Sequence, residues 1–249
     1  FIYFNSQSFK KEKNTLKKSM MIHPGFISLV ILALIHVLAG KPSFTKWLWH
    51  KMFLSAACGV SLSYVFIDLL PSLEKGEAVL KYSLKGTLPY LDRHTYIVAL
   101  CGILFYLGID STKKGKKSAW LKNSGYILFN FIIGATLSDS SNPDIKPLSL
   151  FTIAIGLHYF IRDHLYNLSK TPKVLYTLIA MLFLGYFVTE FFHIPDAVIA
   201  LEIAFASGGI LLNVFRYENL NALSKSFLYF FLGAFLYTIL LLSIGEIKL

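Results

Sequence analysis

The stretch Lys173-Val-Leu-Tyr-Thr-Leu-Ile-Ala-Met-Leu-Phe-Leu-Gly-Tyr-Phe-Val-Thr-Glu-Phe-Phe192 has one base at its start, one acid near its end and no charge between. A hydrocarbon core about 30 Å thick needs roughly 20 residues at 1.5 Å each, and this run has that length. In that medium every backbone N–H must be bonded within its own segment, so the run is read as a helix. Working outward, comparable apolar runs recur along the whole chain, giving expected spans at 24–40, 50–72, 94–110, 122–138, 147–167, 173–192, 195–217 and 225–244. The period-two alternation of a membrane β-barrel is absent. The expected fold class is all-α, a polytopic membrane helix bundle of about eight transmembrane helices.

Composition agrees. Of 249 residues, 55% are hydrophobic and only 15% charged, too little charge to cover a soluble domain of this size. The formal net charge of +10 sits in tails and loops beside the spans, which points to anionic lipid head groups as partner and not to nucleic acid. Cys58 and Cys101 lie inside apolar runs without a CxxC spacing and are read as small hydrophobes. HExxH, GxGxxG, P-loop and GxSxG motifs are all missing, so no enzymatic activity is expected.

Residues 1–20 form a Lys-rich tail ahead of Met20 and Met21, expected to be dispensable and set apart from a single transmembrane domain over 21–249. The run from Gly25 to Gly40 follows basic residues as a signal peptide would. No clear A-x-A site follows it and seven further apolar runs do, so a retained first helix is expected. The loops after spans one, three, five and seven hold 13 Lys and Arg residues with Arg162 among them, against six on the other side without the tail. Positive charge marks the cytoplasmic side, placing both termini outside a cell (inner) membrane.

Ionisable side chains at bilayer depth cost at least about 2.5 to 3.5 kcal/mol and call for a partner or a function. Asp68, His158, Arg162, Asp163, Glu190 and Glu202 meet that description. Glu202 is the deepest acid of its span, and its bland reading is a buried pair with Arg162 or His158. Ala200, Ala204 and Gly208, four residues apart, form a small-residue face suited to close helix packing.

Three segments in order resemble the ZIP (Zrt/Irt-like) metal-transporter fold. Gly59-Val-Ser-Leu-Ser-Tyr-Val-Phe-Ile-Asp-Leu-Leu-Pro71 is similar to the second ZIP helix, with Asp68 where F-x-H-L-L-P has its His. Asn130-Phe-Ile-Ile-Gly134 and Gly156-Leu-His-Tyr-Phe-Ile-Arg-Asp163 are similar to helices four and five, and Ala206-Ser-Gly-Gly-Ile-Leu-Leu-Asn213 to helix seven. The chain looks closest to compact bacterial ZIP-like membrane proteins, over nearly everything after Met20. The resemblance implies eight helices with both ends outside and a divalent metal, such as zinc, held between helices four and five by H-N-x-x-E/D and H-E-x-P-H-E motifs. It leaves a homodimer open, which no residue here requires.

Matched position by position, Phe129 stands for the first His, Asn130 is kept, and Ile133 replaces the acid. On helix five His158 is kept, Tyr159 replaces the acid, Ile161 the Pro and Arg162 the second His, while Asp163 keeps the second acid. Candidate metal positions are therefore Asn130, His158, Asp163, Asp68 and Glu202. A guanidinium among them opposes a cation site. His158 and Asp163, five residues apart, also diverge by roughly 140° on a regular helix. The expectation is a ZIP-like scaffold with a degenerate metal site in a structural or regulatory role, in which Arg162 and Asp163 pair with Glu202 or Asp68. The alternative is transport of a divalent cation or another small solute.

Overall fold

The computed structural model describes residues 23–39, 51–83, 93–112, 116–138, 145–165, 172–192, 194–217 and 227–245. The basic tail over 1–20 lies outside them. The described residues form eight helical rods and no strand. They are α1 (Pro24–Ala39), α2 (residues 51–83), α3 (His94–Ser111), α4 (Lys116–Ser138), α5 (Ile145–Leu165), α6 (Pro172–Phe191), α7 (Asp196–Tyr217) and α8 (Phe227–Gly245). Each coincides with one apolar run of the sequence. Three rods, Met52–Tyr82, His94–Ser111 and Pro172–Phe191, are long and apolar enough to cross a membrane, and Pro24–Ala39 and Phe227–Ser243 are shorter apolar helices. Their outer faces expose large side chains such as Leu34, Leu104, Phe191, Phe235 and Leu236. Contiguous apolar surface of that kind suits lipid and not water.

α2 differs from the expected span, which ended at 72 with a long connection after it. Its helix continues to Ser83 through Glu74, Lys75, Glu77 and Lys81. It is also interrupted. Lys51–Tyr64 is α-helical, Val65–Leu69 is a π-helical turn, and Leu70–Ser83 is α-helical again. The N–H of Leu70 bonds to the carbonyl of Val65. Pro71 explains the widening: it has no N–H to donate and its ring crowds the carbonyl four residues back, so the turn before it expands.

The rods pack most extensively as α4 with α6, α2 with α8, α3 with α7 and α1 with α5. α1 also touches α4 and α6, α7 touches the C-terminal half of α2, and the contacts of α5 with α2 and of α4 with α7 tie these pairs into one bundle. Helices in lipid have no hydrophobic drive toward each other and gain from backbone proximity. Three of the pairs reach it through glycines facing each other's main chain. A Cβ on Gly134 would stand 2.0 Å from Leu182 O, and one on Gly185 2.0 Å from Phe131 O. Gly59 and Gly233 face Phe230 O and Ala56 O in the same way, as do Gly102 and Gly208 with Phe205 O and Ala99 O. Gly208 is thus the contact point of the small-residue face read from the sequence.

Short polar links join the rods between these seams. Thr152 Oγ1 donates to Ser28 Oγ at 2.9 Å, Tyr237 Oη to Leu150 O at 2.7 Å and Ser138 Oγ to Glu190 Oε2 at 3.0 Å. The extended end of α2 has a separate task. Arg93, in the left-handed region at φ 70°, precedes α3 without a capping side chain of its own. Glu77 takes over that role from the neighbouring rod. Its carboxylate accepts from Arg93 N at 3.0 Å, Thr95 N at 2.9 Å, His94 Nδ1 at 2.9 Å and Thr95 Oγ1 at 3.2 Å. A carboxylate on free N–H groups at a helix start is favoured by both the bonds and the helix dipole. Glu77→Ala is expected to cost about 2 to 3 kcal/mol, read as a lowered unfolding midpoint in detergent micelles, with Glu77→Gln between the two.

Candidate functional site: a buried polar centre on α1, α4 and α5

His36, Asn130, Arg162 and Asp163 lie in the core, between 0% and 2% exposed. His36 comes from the last turn of α1, Asn130 from the middle of α4, and the other two from the end of α5. His36 Nδ1 is hydrogen-bonded to Asp163 Oδ2, and His36 Nε2 meets Asn130 Oδ1 at 2.8 Å. Asn130 Nδ2 donates to Tyr126 O at 2.9 Å, which turns its carbonyl oxygen toward the imidazole. His36 Nε2 must then carry a proton. A second proton has to lie between His36 Nδ1 and Asp163 Oδ2, because two lone pairs would otherwise face each other. Wherever that proton sits, the pair is neutral.

Aromatic rings enclose this centre. Tyr159 lies over His36 with ring centroids 4.2 Å apart. The Arg162 guanidinium carbon is 4.7 Å from the Tyr126 ring centre, 5.0 Å from that of Tyr159 and 5.3 Å from that of Phe129. A cation over such faces is favoured, most of all when dry. Arg162 Nε is 3.7 Å from Asp163 Oδ1, an ion pair too long for a hydrogen bond. Asp163 Oδ1, Arg162 Nη2 and the Tyr159 hydroxyl have no hydrogen-bond partner among the described residues.

The other candidates lie apart from it in chemistry or in space. His158 is buried one turn before Arg162, with its ring 5.5 Å from Phe129 and 6.4 Å from Tyr159. Asp68 sits in the π-helical turn of α2, half-buried, its carboxylate hydrogen-bonded to the Tyr64 side chain. Glu202 is half-buried on α7, and its Oε2 has no hydrogen-bond partner among the described residues. The pairing of Arg162 and Asp163 with Glu202 or Asp68 is thus not what the fold makes. Asp163 is taken by His36, and Arg162 by Asp163 and the rings. Arg162, counted among the loop charges that set orientation, is 2% exposed and belongs to the core instead.

The matched positions on helices four and five do converge, since Phe129, His158, Tyr159 and Arg162 touch one another. What meets there is aromatic and cationic. Among the described residues no group of three or more His, Cys, Asp or Glu side chains could hold a metal ion. Reasoning confined to those two helices misses His36, the partner that occupies both Asn130 and Asp163. Its signal in the sequence is plain: one imidazole inside the apolar run 24–40, at a depth where an ionisable group needs a partner. No protein-family model and no curated protein matches the chain.

Proposed function

We propose that this chain is an eight-span membrane protein on a ZIP-like scaffold whose metal centre has been replaced by a self-contained polar cluster. Its role is to hold or regulate the bundle, not to carry divalent cations. The observation behind this reading is the His36–Asp163–Asn130 chain of contacts with Arg162 at its side. Zinc needs several anionic or imidazole ligands at about 2.0 to 2.2 Å on one ion. Here one carboxylate and one imidazole neutralise each other, the amide oxygen faces the imidazole, and a guanidinium stands where a fourth ligand would be. The meeting of α1, α4 and α5 at the centre, the glycine seams and the order of the motifs support the scaffold reading.

The transport alternative has its own support in Asp163 Oδ1 and Glu202 Oε2, which are buried acceptors without hydrogen-bond partners among the described residues. Uptake decides between the two. Proteoliposomes of the full chain, loaded with a zinc- or manganese-sensitive dye, are expected to take up metal no faster than protein-free liposomes. Saturable uptake by the wild type would overturn the proposal.

A further inference from the structure

The centre leaves an unbalanced charge beside a cleft. His36 and Asp163 together are neutral, whichever atom holds their shared proton, so the guanidinium of Arg162 keeps its positive charge. His158, one turn away on the same helix, brings no negative charge in either protonation state, and the neighbouring Tyr106 and Tyr159 are phenols. Arg162 is 2% exposed, and its Nη2 has no hydrogen-bond partner among the described residues. The hydroxyl of Tyr106, 8% exposed on α3, has none either. Both side chains line the same narrow cleft between α3, α4, α5 and α7, together with Asp110, Lys122, Phe129 and Gly209.

The cleft is built for that ring. A Cβ on Gly209 would stand 2.7 Å from Tyr106 Cε2, and one on Gly125 would stand 2.8 Å from Ile109 Cδ1 and 3.6 Å from Tyr106 Cε1. Glycine at 209 leaves the room that the Tyr106 ring occupies in this cleft. The space left for the centre of a water-sized guest is about 10 Å³, enough for one atom and too little for a polyatomic ligand. Asp110 and Lys122, both partly exposed, bring one formal charge of each sign to its lining. A charged donor and a hydroxyl without acceptors in a buried site are each unfavourable until something accepts from them. The net positive charge decides the sign of that acceptor.

We propose that the cleft binds one small inorganic anion, of the size and charge of chloride, accepting from Arg162 Nη2 and the Tyr106 hydroxyl. The proposal rests on the centre being closed to divalent cations, yet the two fail separately, since zinc uptake would overturn that reading whatever an anion titration shows. The test uses the purified full chain in detergent micelles, with the unfolding midpoint followed as sodium chloride replaces sodium gluconate at constant ionic strength. A saturable rise with chloride and bromide, absent with gluconate, is expected from binding to the folded state alone. Tyr106→Phe keeps the ring and should raise the half-saturating chloride concentration about tenfold, the loss of one hydrogen bond. Arg162→Gln should abolish the rise; if that variant does not fold, Tyr106→Phe carries the test. Superimposable chloride and gluconate series for the wild type would mean that water alone fills the cleft and would overturn the proposal. So would a chloride response that Tyr106→Phe leaves unchanged.

Discussion

Asp163→Ala is expected to destabilise the folded bundle by about 3 to 5 kcal/mol, measured by reversible unfolding in mixed detergent micelles. The residue is fully buried and faces the His36 imidazole, with which it shares a proton, and the Arg162 guanidinium. Without the carboxylate the guanidinium loses its counter-charge and the imidazole its hydrogen-bond partner, both in the core. The cost is mainly that of the stranded groups and not of the contact removed. A second substitution separates these contributions. In Asp163→Ala with His36→Leu the imidazole is gone as well, and the pair of changes should cost less than the sum of the single ones. Additive losses within about 0.5 kcal/mol would show that His36 and Asp163 do not act together, contrary to the geometry.

The second large effect is expected at the α4–α6 seam. In Gly185→Ala the new methyl would meet the carbonyl oxygen of Phe131 at 2.0 Å, and in Gly134→Ala that of Leu182 at 2.0 Å. Neither neighbour is a side-chain tip that can swing away. The rods must separate along their length, at the upper end of overpacking costs, about 3 kcal/mol for either change. One separation relieves both clashes, so the double variant should lose little more than either single one. Gly108→Ala is the control, because nothing lies within 4 Å of a Cβ there. At that exposed site on α3 the better helix former should be neutral or gain up to about 1 kcal/mol. Equal losses at positions 108 and 185 would mean that helix propensity, and not close approach, governs the glycines.

These two sites mark where the sequence was readable. The rods could be found because hydropathy is a local property: each stretch of about 20 residues announces its own solvent. The continuation of α2 beyond 72 escaped the same reasoning. Glu74, Lys75, Glu77 and Lys81 make that segment polar, and its helical state comes from packing against α3 and α7. The small-residue face around Gly208 could be read because spacing alone defines it. Its counterpart, Gly102, is known only when two distant rods are brought together. The polar centre shows the same division. Asn130, His158 and Asp163 were marked by depth and by likeness to a motif. Depth says that a polar group needs a partner and not which one, and His36 is separated from Asp163 by 127 residues. Asp68 and Glu202 satisfy the same local criterion and have other surroundings, Asp68 with Tyr64 and Glu202 on α7 with its Oε2 unbonded among the described residues.

The π-helical turn at Val65–Leu69 has a consequence for the phase of everything after it. One residue more than an α-helix needs is spent there, so the remainder of the rod is rotated by about 100° relative to an unbroken continuation. That rotation decides which compass bearing Glu77 takes at the far end, and the bearing it takes is the one facing the start of α3. Pro71 therefore works at a distance. By widening one turn it aims a carboxylate six residues further on, and the two rods are indexed to each other by a single surplus amino acid.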